Sequence, residues 1–335
     1  AGYLAYQHDD YDKAISLLEK IPLDSYSTPQ ALYLHGLALA AKTKHRDAMQ
    51  SWHRVKKYPL AFAGVAEAWL GAGRGYDLAG YLGHSGEAYL AASATYESER
   101  VTLRKLADLV NRKGAYNAMV ADTEDVKVEW FLADNRMLAQ PRVAYALRFL
   151  EQPEAQESAQ RVRTLKGLIA QMERDSATLQ VFRDVLQERI GSRTRIDGKD
   201  TDDFNKQLKA VLTRIDAVRK DRQPNPQQAG ELRQLALLVA DLKDSANRIK
   251  GRAAQRDTRL RAHEKTVLQS LERLDDNKKR ALELLEKANA DLDERMLAFI
   301  GSESQRMLTA LEKAEQQIAH LYEYLALQNL NRRQP

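Results

Sequence analysis

The stretch GLALAAKTKHRDAMQSWHRV, residues 36–55, restates GYLAYQHDDYDKAISLLEKI, residues 2–21, at the positions that matter for packing. Gly2, Ala14, Leu18 and Ile21 recur as Gly36, Ala48, Trp52 and Val55, each 34 residues later. In both copies the Gly and the Ala stand twelve apart. That spacing predicts a helical hairpin. A small residue sits where the first helix crosses its partner, and a second small residue sits where the return helix packs back, because bulk at either point drives the axes apart. A repeat period between 20 and 50 residues is the mark of a stacked, solenoid-like architecture.

The repeat resembles the tetratricopeptide-repeat (TPR) family, a 34-residue helix–turn–helix unit. Leu32, Gly36, Leu39, Ala48 and Trp52 occupy the positions where that family favours Trp, Gly, Tyr, Ala and an aromatic, and HDDYDKAISLLEK resembles its turn and second helix. His35 departs from the Leu usual before the Gly, and Pro59 falls one residue early. The resemblance implies an all-α fold of hairpin repeats whose first helices line a concave face. Carried across by register, it places Tyr3, Tyr6, Tyr33, Leu37, Asp77 and Tyr81 on that face as partner-binding residues. It also puts residue 1 inside a first helix whose opening turn is missing, so an upstream extension is expected.

A third copy is expected in GAGRGYDLAGYLGHSGEAYL, residues 71–90. Gly83 then stands in the turn and Ala88 takes the place of Ala48, which requires an insertion of six. The glycines near Gly73 to Gly75 are expected to allow close helix crossing and to bend or hinge the helix. The chemical readings of this stretch fail. A phosphate-binding loop needs Lys and a hydroxyl after its last Gly, and Tyr81 follows Gly80. A dinucleotide fingerprint needs a preceding strand and a different glycine spacing. GHSG is one residue short of a nucleophile elbow.

Composition divides the chain. The three Trp, 14 Tyr and 6 Phe fall mostly before residue 151, and the remainder is rich in Leu, Ala, Arg, Glu and Gln. We therefore expect a repeat domain at 1–150, with copies at about 1–28, 29–62 and 63–112 followed by linking helices anchored by Trp130, Phe131, Tyr145 and Phe149. A long-helix domain is expected at 151–335. There the apolar residues follow heptads, the sign of coiled coil. Leu165, Leu168, Met172, Leu179, Phe182 and Leu186 form one seam, and Phe204, Leu208, Val211, Ile215 and Val218 another. Two more are Leu232, Leu235, Val239, Leu242, Ala246, Ile249, and Val267, Leu271, Leu274, Ala281, Leu285, Ala288, Leu292, Phe299. Breaks are expected at GSRTRIDGKD (191–200), at RQPNPQ (222–227), and at Gly301, where Ser302 and Gln305 read as a capping box for a last helix. Antiparallel packing within the chain is expected, with a parallel homodimer as the alternative.

The 335 residues contain no Cys, which excludes thiolate catalysis, thiolate-bound metal and disulfides. The seven His show no metal-ligand spacing. No cofactor, metal or catalytic residue is expected. The formal charge is +5, and the basic stretch 248–265 lacks interleaved aromatics, which disfavours nucleic acid. The expected function is a non-enzymatic protein–protein interaction scaffold, its groove binding a partner segment and its coiled coil anchoring a larger complex. The alternative is a rod-like or oligomeric subunit of a bacterial cell-envelope assembly. Bacterial periplasm or envelope is the expected setting, with cytoplasm as the alternative.

Overall fold

The computed structural model describes residues 1–23, 25–120, 141–221 and 226–332. It is all-α, with no strand among the described residues. The helices are α1 (Gly2–Gln7), α2 (Tyr11–Leu18), α3 (Thr28–Ala41), α4 (His45–Val55), α5 (Val65–Leu78), α6 (Leu82–Lys113), α7 (Pro141–Phe149), α8 (Pro153–Asp221) and α9 (Pro226–Arg332), with a π-helical turn at Tyr116–Val120. Among the described residues no helix is long and apolar enough to cross a membrane.

Helices α1 to α6 form three consecutive hairpins with one turn geometry. Asp9, Thr43 and Gly80 each adopt a left-handed backbone, with φ of 59°, 61° and 80°. The following amides of Asp10, Lys44 and Tyr81 donate to the carbonyls of Ala5, Leu39 and Tyr76, closing each first helix with the wide bond of a Schellman-type end. A Cβ on Gly2 would lie 2.9 Å from Leu18, one on Gly36 would collide with the Trp52 indole, and one on Gly73 would lie 2.5 Å from Tyr89. The return helices place Ala14, Ala48 and Ser85 at the crossing, all fully buried.

This geometry corrects the third copy. The equivalents of Gly36, Ala48 and Trp52 are Gly73, Ser85 and Tyr89, and the turn residue is Gly80. Gly83 instead lies in the first turn of α6 with open space around it. The Gly-to-small spacing of twelve is kept, and three residues are inserted, in the connection between α4 and α5. Ser85 was missed because a hydroxyl replaces the expected methyl. Its Oγ donates to the Gly73 carbonyl at 2.9 Å, so the buried polar atom is satisfied.

The expected hinge is absent, since Val65–Leu78 is uninterrupted helix. Gly71 and Gly75 give up side chains to the Trp52 ring and Met49, as Gly73 does to Tyr89. Packing of those large neighbours compensates the helix propensity lost. Gly64, at the N-cap of α5, does need its freedom. Its φ is +84°, and a Cβ there would meet Tyr33 at 2.7 Å.

The chain divides into two compact units, 1–164 with 284–335, and 165–283. These differ from the division at residue 150 expected from composition, because the end of α9 joins the first unit. In that unit Tyr145 and Phe149 are fully buried, as expected of core anchors, and the Phe149 and Phe299 rings stand 5.6 Å apart. Trp130 and Phe131 lie outside the described residues. The last part of α9 packs on the third hairpin, where Asp293 accepts from the Ala115 amide and Leu321 lies against Gly86, and on the start of α8, where Ser158 donates to Asp291. Progress along α9 from Asp293 to Leu321 runs back along α6 from Gly114 to Gly86. This segment is therefore antiparallel to α6 and parallel to α5, the place the next helix of the stack would take.

Two expected breaks do not occur. Helix α8 runs through 191–200, and α9 runs through Gly301 and Ser302. At Gly301 the neighbours Phe299, Ile300, Glu303 and Met307 are buried, and that burial outweighs the roughly 1 kcal/mol cost of a helical glycine. The third expected break, at 222–227, falls on residues that lie mostly outside those described; α8 is described to Asp221 and α9 from Pro226.

In the second unit Lys278 pairs with Glu173 at 2.8 Å. Both residues lie about 50 positions from residues 222–225, so with equal rise per residue a contact between them requires α8 and α9 to run antiparallel here. The expected Val267-to-Ala281 seam faces inward. In the other seams Leu168, Phe182, Val211, Val218, Leu235, Leu242 and Ile249 are exposed and Leu186 and Val239 are buried, while Ile169, next to the expected Leu168, is buried in its place. A two-helix pair covers only one narrow stripe on each helix.

Candidate functional site

The partner-binding residues expected from the sequence fall into two groups. Tyr3 and Tyr6 lie on α1, and Tyr33 and Leu37 on α3. Tyr3 is 52% exposed, and its hydroxyl accepts from the Gln7 side-chain amide at 2.8 Å. Tyr6 is half-buried, packed on Ala5, Ala14 and Ala38 with its ring 5.8 Å from that of Tyr11. Leu37 leans on Leu18, Ala31 and Leu34. Tyr33 rests on Gly64 at the start of α5. Its hydroxyl is pushed up to about 12, first by burial, then by the Glu67 carboxylate and Tyr6. It is a neutral hydrogen-bonding group at physiological pH.

Asp77 and Tyr81 lie elsewhere. From Glu67 to Asp77 is ten residues of α5, about 15 Å. Asp77 is exposed and lines a cavity of about 550 Å³ with Tyr89, His320, Leu321 and Tyr324 among its walls. Tyr81, 60% exposed, stands just before α6 with its ring 6.3 Å from His84. The structure thus brings Tyr33 together with Glu67 and leaves Asp77 and Tyr81 at the other end of α5.

The Tyr33 end continues onto α9. Ala66, Glu67 and Leu70 of α5 face Ser302, Gln305, Arg306, Thr309 and Lys313 across a cavity of about 370 Å³. Arg306 is its hub. Its guanidinium donates to the Leu60 carbonyl at 2.7 Å and to Glu303 at 2.7 and 3.0 Å, and it stands 4.0 Å from Glu67. Behind it, Tyr145 donates to Glu99 at 2.8 Å and Tyr96 to the Ala66 carbonyl at 2.6 Å. Burial raises the Glu99 carboxyl; the Tyr145 hydrogen bond and Arg306 pull it down, and Glu303 pushes it up again. Burial likewise holds the Tyr145 and Tyr96 hydroxyls well above the ordinary phenol range. Through the Leu60 carbonyl and Glu67, Arg306 ties α9 to the start of α5.

Sequence reasoning missed this hub because it treated residues 302–335 as a separate coiled-coil helix. A signal was present: Glu303 follows Phe299 by four, placing a carboxylate in the inward column of α9, where it demands a cation. Among the described residues no cluster of His, Cys, Asp or Glu has the makings of a metal site. The face offers tyrosine rings and hydroxyls, Leu37, a Glu, and the amide, hydroxyl and ammonium of Gln305, Thr309 and Lys313. That set suits recognition of an extended segment. No known family model, curated protein or solved structure matches the chain.

Proposed function

We propose that the first unit is a TPR-like, non-enzymatic interaction module. Its partner is a protein segment laid along the face that runs from Tyr3 and Tyr6 through Tyr33 and Leu37 to Glu67, Gln305 and Lys313. The observation that carries the reading is that Tyr33 interacts both with Tyr6 of α1 and with Glu67, which lines the cavity between α5 and α9. Tyrosines give large contact area with little side-chain entropy to lose. Lys313 at the far end favours an acidic group on the segment. The second unit extends or anchors the complex, and the setting we favour is the bacterial periplasm or cell envelope.

The test is capture from native extract by the immobilised full chain, compared with a Tyr3→Ala, Lys313→Glu variant. Both side chains are at the surface, so helicity should not change. Loss of the captured partner at unchanged circular dichroism supports the reading, and unaltered capture overturns it. Fractionation of the source cells tests the envelope setting, which a purely cytoplasmic pool overturns.

A further inference from the structure

In the second unit α9 carries two heptad columns. One, with Leu232, Val239, Ala246 and Leu260, is buried or half-buried against the pair. The other comprises Glu231, Leu235, Leu238, Leu242, Ser245, Ile249, Arg252, Arg256 and Arg259, alternating by four and three without a skip. Its Leu and Ile members are 47%, 59%, 48% and 68% exposed, and its charged members are exposed. Sustained 3.5-residue spacing is the pattern of a surface shaped for another helix, since a flat surface imposes no such register.

We infer that this column is the contact for a second copy of the chain, whose α9 lies antiparallel across a twofold axis at the level of Leu242 and Ser245. Under that symmetry Leu242 layers with the partner's Ser245, Leu238 with Ile249, Leu235 with the aliphatic stem of Arg252, and Glu231 meets Arg256. The same axis brings Asp241 to Arg248, two exposed residues that lie 3.9 Å apart within one chain. One column therefore presents an acid, then an apolar stretch, then bases, and that order complements itself when reversed. Residues 248–265 hold seven Lys and Arg against Asp257 and Glu264, a net of +5 that equals the formal charge of the whole chain. A parallel copy would set Arg against Arg along this stretch.

The size is adequate. The exposed Leu and Ile of the column offer roughly 400 Å², about half of what each partner gives to a standard stable interface, and the stems of Arg252 and Arg256 with the two ion pairs supply the rest. A contact of this kind is isologous and closes at two copies.

Sedimentation of the full chain from about 1 to 100 µM tests the inference, which does not depend on the groove. The wild type should shift from monomer to dimer, and Leu238→Asp should stay monomeric. Leu237→Asp, at 71% exposure but off the column, should dimerise like the wild type. Glu231→Arg and Arg256→Glu should each weaken the dimer at least ~10-fold, and the double swap should restore it. A wild-type monomer throughout overturns the inference, as does a dimer indifferent to Leu238→Asp or singles that the swap does not rescue. A monomer that co-sediments with phosphatidylglycerol vesicles and not with phosphatidylcholine vesicles overturns it in favour of an anionic surface.

Discussion

The two units are both made of helices packed side by side, yet they bury their apolar residues to very different degrees. In the first unit the second and third hairpins sit between neighbours, and the Gly–aromatic crossings at Gly36/Trp52 and Gly73/Tyr89 let the axes close up. In the second unit fourteen large apolar side chains are exposed, and Ile169, Leu186, Val239, Val267 and Ala281 are the buried apolar residues among those described. The difference comes from the number of neighbours each helix has. Heptad Leu on a two-helix pair has one partner, whereas a helix in a stack has at least two.

The comparison breaks most sharply at Trp52. Trp52→Ala should cost about 3–5 kcal/mol in urea unfolding followed by circular dichroism, because the ring fills the space left by Gly36 and Gly71. A cost like that of a surface substitution would mean the first unit is no better packed than the second. Next comes Gly73→Ala, which should destabilise by about 1–3 kcal/mol through overpacking against Tyr89. Gly83→Ala, with open space around it in α6, should instead stabilise by about 0.4–1 kcal/mol. Equal effects at the two glycines would sink the revised register.

Glu99 sharpens the comparison through pH. Its folded carboxyl is raised above the ordinary 4.5, so the unfolded chain ionises first. Its contribution to stability is full below about pH 4.5 and is lost as pH rises through the folded value. Glu99→Gln keeps an acceptor for Tyr145. Its melting temperature should match the wild type near pH 4 and equal or exceed it at pH 7. A variant less stable than wild type at pH 7 contradicts the assignment. The smallest effect is expected in the second unit, where Leu237→Asp should change stability by no more than about 0.5 kcal/mol.

Much of the first unit was legible because its signals are local. Gly2 and Gly36, Ala14 and Ala48, and Leu18 and Trp52 recur at a fixed period, and the small residues are required by helix crossing whatever lies beyond. Ser85 and Tyr89 were harder to read. The three extra residues precede α5, so the change of register is visible in the turn at Gly80 and not in residue type. Around the cavity between α5 and α9, register points to Tyr33 beside Glu67 but not to Glu67 or Arg306 themselves. Arg306 comes to Glu67 across 239 positions of sequence, and no periodicity carries that information.

By itself the sequence determined that this chain is helical, that its first part is hairpins with glycine at the crossings, and that its second part carries heptads. Those follow from the spacing of small and apolar residues, which the 3.6-residue turn converts directly into faces. Tertiary structure decided where helices continue and which face meets which. A glycine at 301 ends a helix or not according to the burial of its neighbours. The columns of α9 are core or surface according to how many helices arrive to cover them.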